Sequence, residues 1–140
     1  MAKILIVDDE PDILLLLRLN LSADGHDVVM AADGPKALEC IAADHPELVV
    51  LDVMMPVLDG WGVLEALRGD KDAPPVIVAS AKTAGRDIAH AIRLGPCDYL
   101  TMPFDPAVLN EAVAVTLAQS DEEREGHRQR LLALVEDASP

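Results

Sequence analysis

The side chains able to do chemistry in this chain stand where apolar runs end. Residues 3–7 run into Asp8, Asp9 and Glu10, residues 48–51 into Asp52, residues 76–79 into Ser80 and residues 99–101 into Met102. In an open parallel sheet, ligands gather beyond the carboxyl ends of the strands, which collects these residues at one edge. Three carboxylates held together repel by roughly several kcal/mol per close pair at an effective dielectric near 20. A cation relieves that repulsion, and an all-oxygen donor set with room for water favours Mg²⁺. A carboxylate beside such a cation is also a nucleophile toward an incoming phosphoryl group, which singles out Asp52. The hydroxyl of Ser80 is placed to donate to a phosphoryl oxygen. Each acidic residue taken alone is usually a solvated loop group, and Ser80 alone is as readily a turn hydroxyl bonded to backbone. The convergence of three carboxylates on one edge is what favours chemistry.

Positioning these groups requires strands and helices in alternation, and the pattern supplies them. Residues 3–7 predict a strand, and Pro11 then opens a helix, where its missing N–H costs nothing; that helix ends at Gly25. Further strands are expected at residues 28–30, 48–51, 76–79 and 99–101. Helices are expected at 34–44, 61–67 and 83–94, and a last one is N-capped by Asp105. The continuous apolar strands suit a parallel sheet covered on both faces. Strict strand-helix alternation then makes right-handed crossovers the natural assembly. Residues 1–119 form this unit, and residues 120–140 are a charged tail able to form a helix. Gly126 weakens a continuous helix there by about 1 kcal/mol relative to Ala, so a bend that folds Leu131, Leu132, Leu134 and Val135 back is an alternative. The same apolar cluster, left exposed, would support weak self-association.

The 140 residues are 51% apolar, enough for one domain of ordinary size. Eleven Lys and Arg against 25 Asp and Glu give a net charge of −14, which repels phosphate backbones and excludes nucleic-acid binding by bulk charge. No apolar run approaches the roughly 20 residues needed to cross a bilayer. The start of the chain lacks the pattern of a secretory leader, which predicts a cytoplasmic protein. Cys40 and Cys97 stand apart, outside any Cys-x-x-Cys pattern, and are expected as buried small hydrophobes. His26, His45, His90 and His127 lack metal-ligand spacing.

Four segments together carry a family resemblance. Ile6-Val7-Asp8-Asp9-Glu10-Pro11, the run from Val50 through Asp52-Val53-Met54-Met55-Pro56 to Gly60, Val78-Ala79-Ser80-Ala81-Lys82, and Asp98-Tyr99-Leu100-Thr101-Met102-Pro103-Phe104 closely resemble the receiver domain of two-component response regulators. The likeness covers residues 3–117, in order and with compatible spacing. It implies a doubly wound five-stranded parallel sheet of the flavodoxin-like α/β class, strand order 2-1-3-4-5, with helices on both faces. It further implies that Asp52 accepts a phosphoryl group from a histidine kinase or phosphotransfer protein. Asp9, Asp52 and the backbone carbonyl of Met54 would then ligate Mg²⁺, with Asp8 acting through water or a further contact. Ser80 matches the hydroxyl that meets the phosphate, and Tyr99 the aromatic that swings inward behind it. The fourth helix, fifth strand and fifth helix would form the face read by a downstream partner.

The pattern is broken at one position, where Met102 replaces the lysine that precedes the proline-aromatic pair. Lys82, two residues past Ser80, is placed to reach over the mouth of the site and replace part of the missing charge, although such a residue is more often a solvated surface lysine. Three readings follow: a phosphorylation-dependent binding module, a receiver-like module whose switching is weak or independent of phosphate, and a Mg²⁺-dependent phosphohydrolase using an aspartyl phosphate. The last commonly needs a second acid two residues after the nucleophile, where this chain has Met54. A flavodoxin-type cofactor binder is disfavoured, since the first strand leads into Asp-Asp-Glu-Pro rather than a Gly/Ser/Thr phosphate cradle.

Overall fold

The computed structural model describes residues 2–52, 60–81 and 85–138. Among these residues, five strands and six helices follow one another as β1 (Lys3–Val7), α1 (Pro11–Ala23), β2 (Asp27–Ala31), α2 (Gly34–Asp44), β3 (Leu48–Leu51), α3 (Gly60–Leu67), β4 (Val76–Ser80), α4 (Gly85–Arg93), β5 (Asp98–Thr101), α5 (Pro106–Ala118) and α6 (Asp121–Ala138). The strands form one sheet in the order β2-β1-β3-β4-β5, every neighbouring pair parallel. This is the doubly wound architecture expected from the alternation and the resemblance.

Alternating strand residues feed two separate cores. Ile4, Ile6, Leu48, Val50 and Ile77 face Leu17 and Leu21 of α1 and Leu109 and Val113 of α5. Leu5, Val7, Val49, Leu51, Val78 and Tyr99 face Ala37, Val63, Leu64 and Ala91 from α2, α3 and α4. Burial of each large aliphatic side chain stabilises by about 1.5–3 kcal/mol, and with so few aromatics the sheet depends on these aliphatic pairs.

Local chemistry sets the helix ends. Asp33 Oδ1 accepts from the Lys36 N–H at 2.8 Å, and Asp105 Oδ1 accepts from the Ala107 N–H at 2.9 Å, as its predicted N-cap role requires. Gly25, with φ +91°, takes the left-handed position after α1. The fourth helix is described from Gly85, and its predicted start at 83–84 lies outside the described residues.

The tail does not bend at Gly126. It forms one 18-residue helix opened by a capping box, in which Ser120 Oγ accepts from the Glu123 N–H and Glu123 Oε1 accepts from the Ser120 N–H. Tertiary contacts offset the glycine's cost. α6 lies along α4 and touches β5, Leu131 packs against the core on that face, and Arg128 donates to the Ile92 carbonyl at 2.9 Å. Leu132 and Val135 are half-buried while Leu134 remains 68% exposed, so most of the apolar cluster is turned to its own domain rather than offered for self-association.

Candidate functional site

Parallel pairing of β1 with β3 brings Val7 opposite Leu51, so the residues that follow them emerge side by side. Two backbone hydrogen bonds carry the ladder past the strand ends: the Asp52 N–H donates to the Val7 carbonyl at 3.0 Å, and the Asp8 N–H to the Ala31 carbonyl at 3.2 Å. One carboxylate oxygen from each of Asp8, Asp9 and Asp52 then lies within 4.8 Å of the others. The trio opens into a cleft of about 320 Å³ whose lining is completed by Glu10, Ile13, Ala81 and Met102.

The three carboxylates are not equivalent. Asp8 is buried, Asp52 half-buried and Asp9 exposed. Burial is the main cause that pushes the Asp8 carboxyl up to about 6; the Glu10 N–H bonded to it acts the other way, and the charges of Asp52, Asp9 and Glu10 raise it further. That N–H donates to Asp8 Oδ1 at 2.9 Å, the two-residue reach of an Asx turn, and fixes the carboxylate at the mouth of α1. Converging hard oxygens of graded exposure suit a divalent cation that keeps part of its water, so the donor set fits Mg²⁺. Met54, whose carbonyl was expected to join it, and Lys82 both lie outside the described residues.

Ser80 ends β4 fully buried and is not part of the cleft lining. Its hydroxyl is hydrogen-bonded with Tyr99, which is itself only 8% exposed. Burial is the main cause that raises the Tyr99 phenol above its ordinary value, the Ser80 bond lowers it, and the charges of Asp87 and Asp52 raise it. Tyr99 therefore occupies the inward position. Met102 is half-buried, leaning on the core beneath α1 and α5 while also lining the acidic cleft. Its N–H donates to the Ser80 carbonyl at 2.8 Å, and the Met102–Pro103 peptide is cis. A thioether satisfies that apolar contact but brings no donor to the carboxylates.

Both cysteines are buried, and burial raises both thiols, as expected of inert small hydrophobes. The histidines take structural places: His45 closes α2 at φ 48°, and the His90 ring meets Trp61 of α3 at 4.8 Å. The sequence reading missed the Asx turn at Asp8 and the capping box at Ser120, although Asp-x-Glu before Pro11 and Ser-x-x-Glu at 120–123 were signals for both.

A parallel 2-1-3-4-5 sheet with three acids at its carboxyl edge defines a signalling-module class, and the comparisons agree. Residues 4–114 match the response regulator receiver domain family, to which the chain belongs. Over 119 residues it is 43% identical to the alkaline phosphatase synthesis transcriptional regulatory protein PhoP of Bacillus subtilis, covering 85% of this chain and 50% of that one. Over 104 residues it is 44% identical to the transcriptional regulatory protein KdpE of Mycobacterium tuberculosis, covering 74% and 46%. The chain thus spans about half the length of these relatives. Among solved structures, the BeF3-activated receiver domain of Klebsiella pneumoniae RstA superposes with a TM-score of 0.79 at 32% identity over 84% of this chain and 99% of that one. Vibrio cholerae chemotaxis protein CheY4 gives 0.78 at 28% identity, over 83% and 98%. Helix α6 lies beyond the family match. No helix among the described residues is long and apolar enough to cross a membrane.

Proposed function

We propose that this receiver domain is a phosphoacceptor module in which Asp52 takes a phosphoryl group from a histidine kinase or phosphotransfer protein. The observation that carries the reading is the set of three carboxylate oxygens from two strand ends within 4.8 Å. An Asp52 oxygen attacks phosphorus, the phosphorus–nitrogen bond of the donor's phosphohistidine breaks, and the imidazole nitrogen leaves with the electron pair and is reprotonated. Asp9 and Asp52, with Asp8 and the Met54 carbonyl, would hold Mg²⁺, whose charge shields the carboxylate from the incoming phosphoryl oxygens. Ser80 and Tyr99 are the switch pair, and the exposed parts of α4, β5 and α5 present the result to a downstream protein in the cytoplasm. The module binds rather than catalyses, in keeping with transcriptional regulators as relatives.

Met102 supports a second reading, in which phosphate biases the switch only weakly because the cleft has no lysine at that position. Intact-mass measurement after treatment with acetyl phosphate and Mg²⁺ tests the main proposal. One phosphoryl group is expected on the wild-type chain and none on Asp52→Asn; undiminished incorporation in the variant would remove Asp52 from its role.

A further inference from the structure

A second cavity lies at the opposite end of β4 from the acidic cleft, roughly 13 Å along the strand. It occupies about 530 Å³ between the α3–β4 connection, the turn before β5 and the first turns of α6. Among the described residues, five of the chain's eleven Lys and Arg line it, namely Arg68, Lys71, Arg93, Arg124 and Arg128, against three acids. Arg93, Arg124 and Arg128 are ion-paired with Glu136, Asp121 and Glu125, so in this chain of net charge −14 the cleft's unmatched positive charge lies on Arg68 and Lys71.

We infer that this cleft binds a small organic anion carrying phosphate groups. Two arginines of α6 are already anchored for the task. Arg124 donates to the Thr116 carbonyl at 2.9 Å and to Asp121 at 3.0 Å, and Arg128 donates to the Ile92 carbonyl and to Glu125. Their side chains are only 19% and 16% exposed. A guanidinium carries five N–H donors, so each fork keeps donors beyond these contacts, and its ordering cost is already met by the fold.

Anchoring α6 accounts for those two residues but not for Arg68 and Lys71 across the cleft. Both are exposed, and their side chains have no ion-pair or hydrogen-bond partner among the described residues. Phosphate is the group that suits a mixture of planar forks and a mobile ammonium. The volume lies within the ~300–1,000 Å³ of small-molecule sites and exceeds what one phosphate fills. Leu64, Leu67, Pro74 and Pro75 supply an apolar wall for the rest of the ligand. Because α6 lies outside the family match, the site is an addition to the receiver scaffold, and an anion bridging Lys71 to Arg124 and Arg128 holds α6 against the domain.

Calorimetric titration of the full chain with inorganic pyrophosphate and with ADP, in EDTA at constant ionic strength, tests the inference. Saturable binding of at least one probe below about 1 mM is expected, with amide shifts at Gly69, Lys71 and Gly95. Tighter binding of ADP gives the apolar wall a share, and equal binding assigns recognition to the phosphates alone; both support the site. The double variant Arg68→Ser, Lys71→Ser should keep the wild-type melting temperature and bind at least tenfold more weakly. Absence of saturable binding for both probes, unchanged affinity in the double variant, or shifts confined to residues 8–10 would overturn it.

Discussion

The hydroxyls of Ser80 and Tyr99 are hydrogen-bonded inside the domain, although the two residues come from different strands. Parallel pairing of β4 with β5 sets Val78 opposite Tyr99 and Ser80 opposite Thr101, so the phenol reaches two residues along its neighbour to find the serine. The chain's single tyrosine makes this contact directly observable. Ser80→Ala removes a bond that lowers the phenol's proton affinity, so the phenolate absorbance of the variant should titrate at higher pH than the wild type. Loss of the bond should also cost about 1 kcal/mol in urea unfolding. A titration that does not move would place the phenol's partner elsewhere.

Asp8 should make the metal-free chain less stable as pH rises. Its folded-state value of about 6 lies above the ordinary 3.8, so the folded chain binds the proton more tightly than the unfolded one. Stability is therefore fully present below the unfolded value, falls between about pH 4 and 6, and stays lowered above that. The displacement corresponds to about 3 kcal/mol at most. In EDTA, Asp8→Asn should raise the urea midpoint at neutral pH, with the gain shrinking toward pH 4. A gain of equal size at both ends would refute the burial argument.

Added Mg²⁺ should raise the melting temperature at constant ionic strength, because the folded state alone assembles the three carboxylates. At a hundredfold excess over its dissociation constant the ion stabilises by about 2.7 kcal/mol. Asp9→Ala should abolish most of the rise; a wild-type chain indifferent to Mg²⁺ would contradict the proposed use of the site.

Met102→Lys should enlarge the response to phosphorylation more than its extent. A charge-assisted hydrogen bond is worth roughly 1.5–3 kcal/mol, so restoring it should shift the ratio of switched to unswitched chains about tenfold or more. NMR shifts of Tyr99 before and after acetyl phosphate report this directly. Equal shifts in both proteins would show that another group already supplies the cation's part.

Much of this molecule is determined by local pattern. The unbroken aliphatic runs at 48–51 and 76–79, the Pro at the start of α1 and the Asp caps of α2 and α5 act within a few residues, so the strands and helices follow from the sequence without reference to the rest of the chain. The acidic edge is also legible there, because parallel strands must all end on one side and Asp8, Asp9 and Asp52 sit at those ends. What tertiary structure decided is whatever depends on contacts between distant segments. The burial of Asp8 that separates it from Asp9, and the inward bond from Tyr99 to Ser80, depend on how helices close over the sheet. The course of the tail was decided in the same way. Gly126 and a charged composition favour a bend locally, but Leu131 packed against the core and Arg128 on the Ile92 carbonyl outweigh a cost of about 1 kcal/mol, and in doing so they build a basic cleft from residues 68 to 128 that no local pattern foretells.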